Sequence, residues 1–351
     1  MKLLMITQKI DKDDDILGVY HEWAREISKS FNKLSVICLY KGRNELPRDI
    51  EVFSLGKEKQ KSRIIYAINY YTYTRGLRSE YDTVFVHMNP VYVLLGWPIW
   101  KAMRKKVYMW YAHPAWNWQV RTAYLLSDKV ITSVPEAFCK KGGKVVAIGQ
   151  GIDTELFKNT GFNTVTKSSI LYLGRISPSK NIHILIEALR KVKKFGILFT
   201  FTLVGSAPQM PESAEYDKKV KGMILESGLA DVAAAHSSVP YGETVQWYNK
   251  SEIFVNLSRT GHFDKTVLEA MASGCITLAS NDAYYHVFPE DLHEFLIFRH
   301  GDTGDLAQKL KKVLELPDAR KDEIKKRLRE IVIKNHSIYT LGERILEACK
   351  S

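Results

Sequence analysis

Short runs rich in Val, Ile, Leu, Phe and Tyr recur along the whole chain, and longer helix-like stretches separate them. The first half offers KLLMIT, LSVICLY, IEVFSL, TVFVHM, VYMWYA, KVITSV and VVAIGQ, with GVYHEWAREISKSF, SRIIYAINYYTYTRGL and PVYVLLGWPIWKAMRKK between them. The second half continues with SILYLG, LFTFTLVG, IFVNLS and CITLAS. Its expected helices are IHILIEALRKVKKF, DKKVKGMILESG, TVQWYNKS and DLAQKLKKVLEL. Apolar runs without polar alternation are strands buried on both faces, the condition of a parallel sheet covered by helices. An α/β chain with two doubly wound, Rossmann-like domains is therefore expected. With 351 residues, 45% of them hydrophobic, the chain is long enough for two such cores. The polar stretch KNTGFNTVTKSS (158–169) sets the expected boundary, giving domains of 1–160 and 161–335.

Several function classes fall away on composition. Cys38, Cys139, Cys275 and Cys349 lie far apart, without ligand spacing, so neither a disulfide framework nor a zinc site is expected. The start, MKLLMIT, reads as a first buried strand rather than a signal peptide. The most apolar run, VYVLLGWPIW, is half the length of roughly 20 residues that a spanning helix needs. A cytoplasmic protein, at most peripheral at the inner membrane face, is the expected setting. The acidic run DKDDD (11–15) reads as a solvated loop before a helix rather than a metal site.

Charge is uneven. Residues 1–150 hold 24 Lys and Arg against 14 Asp and Glu, while residues 151–351 hold 27 against 25. A basic half beside a near-neutral half points to an anionic ligand or surface. No nucleic-acid motif accompanies it, so no nucleic-acid partner is expected. Aromatic and basic residues crowd SRIIYAINYYTYTRGLR, WPIWKAMRKKVYMWY and HPAWNWQVR. Core packing accounts for most of these aromatics. The rest would suit a glycan or lipid-linked acceptor at an anionic membrane surface.

In a doubly wound domain, ligands meet the loops at the carboxyl ends of the strands. In SILYLGRISPSKNIHILIEAL a strand ends at Gly174, Arg175 follows, and Lys180 precedes a helix. Two cations at a helix start can clamp a diphosphate. Gly205 ends the strand of LFTFTLVG and permits close backbone approach. In IFVNLSRTGHFDKTVLEAMASG the order is again strand, loop, helix. Loop N–H groups from Phe263 to Val267 would cradle phosphate oxygens, and Glu269 would accept bonds from sugar hydroxyls.

Together these stretches resemble the nucleotide-binding domain of the GT-B glycosyltransferases, specifically the large family 4 of retaining enzymes. LYLGRISPSKNIHILIEAL is similar to the family's GR…K segment, LEAMASGCITLAS to its EAMA-G-PVVAS segment, and GQGIDTELF to its NGVD…F linker entry. The resemblance covers most of residues 145–351 and extends more weakly through Gly18 and His113. It implies two domains facing across a cleft, with a last helix (336–351) crossing back to the N-terminal domain. It implies that Arg175 and Lys180 hold the donor diphosphate and that Glu269 takes the ribose hydroxyls. Ser238 and Val239 would lie by the base. Gly18 would admit the donor phosphate, and His113 would reach the sugar. Gly174, Gly205, His262, Phe263, Asp264, Lys265, Thr266 and Val267 complete the expected donor site.

The resemblance implies a retaining transferase that moves a hexose to a hydroxyl of a glycan or lipid-linked acceptor, without a cofactor or metal. GDP-mannose is the first donor expected and UDP-glucose the second. The alternatives are an epimerase or phosphorylase on the same fold, and a non-catalytic nucleotide- or carbohydrate-binding relative. One departure bears on these. Eight residues before the EAMA glutamate the family commonly has a second acid, where this chain has Gly261. His262, Asp264 and Lys265 are the candidates to replace it.

Overall fold

The computed structural model describes residues 1–14, 17–159, 165–261 and 263–350. The chain divides into two compact units, Met1–Gly151 with His336–Ser351, and Ile152–Asn335. The boundary expected at 160/161 lies outside the described residues, and the change of unit comes earlier, after Gly151.

The first unit holds β1 (Lys2–Ile10), β2 (Lys33–Lys41), β3 (Glu51–Ser54), β4 (Thr83–His87), β5 (Lys106–Trp110), β6 (Lys129–Thr132) and β7 (Val145–Ala147). They form one sheet in the order β3-β2-β1-β4-β5-β6-β7, and every pair is parallel. Alternation along the strands feeds two cores. Leu4, Ile6, Val84, Val86, Val107 and Met109 face one way and pack with Tyr70, Trp100 and Val120 from helices. Leu3, Met5, Phe85, Tyr108 and Trp110 face the other way, against Trp23, Ile27, Leu341 and Ile345.

The Leu341–Lys350 helix is thus part of the first unit. Close packing fixes it: a Cβ on Gly342 would lie 2.6 Å from Ser30 Oγ and 3.1 Å from Ile27 Cα. Arg344 satisfies buried carbonyls, donating from Nη2 to Gln150 (2.8 Å) and Ser337 (2.6 Å), and from Nη1 to Ile148. Gln150 N–H donates to His336 Nδ1 at 3.0 Å. Burial, reinforced by Arg344, pushes the His336 pKa down to about 3, so the ring is neutral.

The second unit holds β8 (Thr166–Leu173), β9 (Thr200–Val204), β10 (Ala233–His236), β11 (Ser251–Asn256) and β12 (Ile276–Ala279). Its sheet is also all parallel, in the order β10-β9-β8-β11-β12. Strand order reverses between β8 and β11, so the loops leaving these two neighbours diverge and open a crevice.

Two long helices and one strand are not apparent in the sequence reading. The Asp318–His336 helix is so charged that only Ile324, Leu328 and Val332, at i, i+4 and i+8, reveal a buried face. The Trp118–Leu126 helix hides among aromatics, and Asn117 caps it by accepting from Val120 N–H at 3.0 Å. The strand β10, whose sequence is AAAH, is not among the runs read above as strands. Alanine has little intrinsic strand preference, and pairing with β9 makes this segment extended.

Candidate functional site

The site begins at the strand reversal. After β8 the chain runs Gly174-Arg175-Ile176-Ser177, turns through Pro178–Lys180, and enters the Ile182–Lys194 helix at Asn181. After β11 it runs from Leu257 to Asp264, the N-cap of the Lys265–Ala272 helix. Arg175, Lys180, Asn181, Ser258, Arg259 and Asp264 line a cavity of about 430 Å³ between these two loops.

Backbone geometry explains two of the glycines. Gly174 and Gly205 have φ of 156° and 157°. A Cβ on Gly205 would collide with the Gly174 carbonyl. The loops still continue the sheet's bonding: Gly174 N–H donates to Val204 O and Gly205 N–H to His236 O, both at 3.0 Å. Gly205 therefore serves close loop packing, and it also borders a smaller cavity with Ser206 and His236.

Lys180 and Asp264 are the charged centre of the larger cavity. Lys180 Nζ donates to Asp264 Oδ2 at 2.7 Å and to Ser258 Oγ at 3.2 Å. Asn256 Nδ2 donates to the same Oδ2 at 3.0 Å, and Ser258 Oγ also donates to it. Burial alone would raise the Asp264 pKa. The Lys180 charge and these hydrogen bonds outweigh it and hold the carboxylate below its ordinary range. All three side-chain donors meet Oδ2, so Oδ1 is left to the cavity that Asp264 lines. The ion pair is 18% and 22% exposed, a partly screened position where an incoming anion can still reach the ammonium. Asn181, in a left-handed conformation (φ 53°), donates across to Leu257 O at 3.4 Å and ties the two loops together.

Glu269 lies elsewhere. It is 4% exposed and accepts from Tyr241 Oη at 3.3 Å and Tyr248 Oη at 3.2 Å. Phe157 packs edge-on against both tyrosines. Burial pushes the Glu269 carboxyl up to about 7, although Lys265 and the tyrosines act against that shift. The same burial raises both phenols well above their ordinary range, so they stay protonated and donate. Sequence reasoning does not reach Tyr241, Tyr248 and Phe157. Each comes from a different segment, and no spacing rule links them to Glu269.

The remaining expected residues are placed as follows. Ser238 is exposed and its N–H donates to Ser206 Oγ at 2.9 Å, while Val239 is half-buried. Phe263 is 9% exposed and packs at a tilt against Tyr284, whose hydroxyl donates to Asp264 O at 3.2 Å. Lys265, Thr266 and Val267 form the first turn of the Lys265–Ala272 helix. His262 lies outside the described residues. Gly18 and His113 belong to the first unit. A Cβ on Gly18 would lie 2.5 Å from Asp14 O, so packing of the loop before the Val19–Ser28 helix is enough to require glycine. His113 Nδ1 accepts from Ala115 N–H at 3.0 Å, which leaves the ring proton on Nε2. Gly261 has φ of 95°, a conformation that side-chain-bearing residues adopt only with strain. The loop is therefore built around glycine at the position where the resemblance leads one to expect an acid.

Comparison with known proteins now bears on this geometry. The family model of the glycosyl transferases group 1 matches residues 153–330, half of the chain and nearly the whole second unit. The chain belongs to that family. Lipopolysaccharide 1,2-N-acetylglucosaminetransferase of Salmonella typhimurium is 25% identical over 186 residues, covering 52% of this chain and 48% of that protein. The colanic acid biosynthesis glycosyltransferase WcaL of Escherichia coli, itself assigned by inference, is 23% identical over 196 residues, covering 54% and 47%. The chain spans about half the length of the curated relatives it matches.

Among solved structures, Anabaena HepE in complex with UDP aligns over 100% of both chains with a TM-score of 0.75 at 17% identity. A glycosyltransferase from Rickettsia africae aligns over 99% of this chain and 98% of its own, with a TM-score of 0.77 at 16% identity. These likenesses extend to both units and give this family member the GT-B fold.

Proposed function

We propose that the protein is a retaining hexosyltransferase that binds a nucleotide diphosphate sugar, its diphosphate held by Arg175 and Lys180. The carrying observation is the cavity at the β8/β11 reversal, lined by three cations, Arg175, Lys180 and Arg259, and a single carboxylate, Asp264, which pairs with Lys180. A leaving diphosphate gains negative charge as the glycosidic bond breaks, and fixed cations stabilise that charge where it develops. Arg175 offers a planar fork and Lys180 a point charge.

Asp264 takes the part of the family's absent acid. Its Oδ1 would accept hydroxyls of the transferred sugar while Oδ2 keeps its bonds from Lys180, Asn256 and Ser258. Glu269, under its two tyrosines, would receive the ribose hydroxyls, and Ser238 and Val239 would lie by the base. Backbone N–H groups of residues 263–267 would meet the phosphate or the sugar. His113, with its proton on Nε2, is a donor to a sugar oxygen rather than a base. The acceptor's proton then passes to an oxygen of the departing phosphate, and the acceptor oxygen bonds to the sugar carbon on the face that phosphate leaves. The acceptor is a hydroxyl of a glycan or lipid-linked glycan, in keeping with the lipopolysaccharide enzyme among the relatives. GDP-mannose and UDP-glucose are the donors to try first, and HepE structures with UDP and with UDP-glucose support the second.

Calorimetry of UDP and GDP binding tests the site. Lys180→Ala and Arg175→Ala should each weaken binding by roughly 10- to 100-fold, the worth of one charge-assisted contact. Unchanged affinity in both variants would remove the diphosphate from this cavity.

A further inference from the structure

The two faces of the first unit's sheet are covered by helices of opposite character. On one face the Val19–Ser28 and Leu341–Lys350 helices mix charges: Glu22, Arg25 and Glu26 on the first, Glu343, Arg344, Glu347 and Lys350 on the second. On the other face lie the Arg63–Gly76, Pro90–Ala102 and Trp118–Leu126 helices, which contain no Asp or Glu. They carry Arg63, Arg75, Lys101 and Arg121 instead. From Lys61 to Ser127 the chain holds nine Lys and Arg and only two acids, Glu80 and Asp82.

These three helices are neighbours. Tyr70 of the first stacks on Tyr92 of the second and donates to its carbonyl at 2.7 Å. Trp100 of the second and Val120 of the third share the same apolar core. Their outward sides also bear apolar residues. Ile64, Ile68 and Tyr71, at i, i+4 and i+7, are 72%, 57% and 40% exposed. Trp118 and Leu125, at i and i+7, are 68% and 66% exposed. Two apolar stripes at helical spacing thus stand out from a face that is otherwise cationic.

Between the ends of the second and third helices is a cavity of about 600 Å³, where Lys101, Arg104, Lys105 and Lys106 surround Trp97 and Leu125. Lys106 pairs with Asp128 at 3.0 Å and Lys105 donates to Tyr81 O. The Lys101 and Arg104 side chains make no hydrogen bond or ion pair among the described residues. Their charges are therefore available to an outside anion.

We propose that this three-helix face docks the protein on an anionic lipid bilayer, with Ile64, Ile68, Tyr71, Trp118 and Leu125 entering the interface and the surrounding cations meeting lipid phosphates. Apolar side chains gain by leaving water, and each surface cation adds attraction to an anionic leaflet. Two features select this occupant. Protruding isoleucines gain nothing from stacking on nucleobases, so a nucleic acid fits less well. A second copy placed symmetrically would set cation against cation. Among the described residues no helix is long and apolar enough to cross a membrane, so the contact lies in the interface plane.

Co-sedimentation of the full chain with vesicles is the test. The probes are phosphatidylcholine alone and phosphatidylcholine with about one-third phosphatidylglycerol. The parent should pellet with the anionic vesicles, release as salt rises, and stay in solution with the neutral ones. Ile64→Ser with Ile68→Ser and Trp118→Ser should weaken binding by at least tenfold, as should Lys101→Glu with Arg104→Glu, and both sets should melt like the parent. No binding of the parent to anionic vesicles would overturn the proposal. So would unchanged binding in both variant sets, or a solution dimer of the parent that the apolar substitutions dissolve. The test reads lipid alone, so it is decided whether or not the donor-site reading holds.

Discussion

Glu269→Gln should make the protein more stable at alkaline pH than the parent. In the folded chain the Glu269 carboxyl titrates at about 7, against an ordinary value of 4.5, and burial is the leading cause. Between those two values the folded state holds a proton that the unfolded state has lost. Stability therefore falls as pH rises through this window and levels off above it. A tenfold difference in proton affinity is worth about 1.4 kcal/mol, so the full penalty is about 3 kcal/mol. Gln occupies about the same volume, accepts from one of the two tyrosine hydroxyls while its amide NH2 donates to the oxygen of the other, and has no charge to desolvate.

The pair should be nearly equal at about pH 4 and separate by about 3 kcal/mol, in favour of Gln, by about pH 8. Native-state hydrogen exchange over residues 253–279 reads the second unit by itself and avoids assuming that both units unfold together. Parallel pH profiles, or a variant less stable at about pH 8, would refute the claim that a buried carboxylate resists ionisation here. The same substitution should weaken nucleotide binding, because an amide accepts ribose hydroxyls less strongly than a carboxylate.

Three further outcomes follow from other parts of the second unit. Gly205→Ala should cost about 3 kcal/mol in urea unfolding, because the new Cβ meets the Gly174 carbonyl and φ is 157°. Lys321→Met should cost about 3 kcal/mol in the same assay. It leaves Glu252, 4% exposed at its side chain and 3.0 Å from Lys321 Nζ, with the neutral Ser168 N–H at 3.0 Å and the more distant Lys325 at 3.7 Å. Asp264→Asn should tighten pyrophosphate binding about tenfold by calorimetry, since Lys180 loses its competing carboxylate, while transfer falls at least as much. Weaker pyrophosphate binding in that variant would instead make Asp264 a residue that positions Lys180.

What the sequence reveals is mostly local. Val- and Ile-rich runs bounded by Gly or polar loops identify the strands, and GR…K and EAMASG mark the loops beside the reversal. Arg175, Lys180 and Asp264 do meet at one cavity, because β8 and β11 are neighbours whose loops leave from the same edge. The Lys180–Asp264 pair itself joins residues 84 apart, which no spacing pattern encodes. The cover over Glu269 is illegible for a similar reason. A glutamate in the early turns of a helix carries no mark of a buried site, and only tertiary packing brings Phe157, Tyr241 and Tyr248 over it. The Asp318–His336 helix escapes a sequence reading because its apolar stripe is one residue wide within a run of charges.

The central claim is that the Arg175–Lys180 cavity holds the diphosphate of a sugar donor during transfer. It is tested most directly by offering the purified protein UDP-, GDP- and ADP-sugars and measuring nucleotide release with and without simple glycan acceptors. The account predicts release from one donor, raised by an acceptor and abolished by Lys180→Ala. Failure of every nucleotide and nucleotide sugar to bind would contradict it.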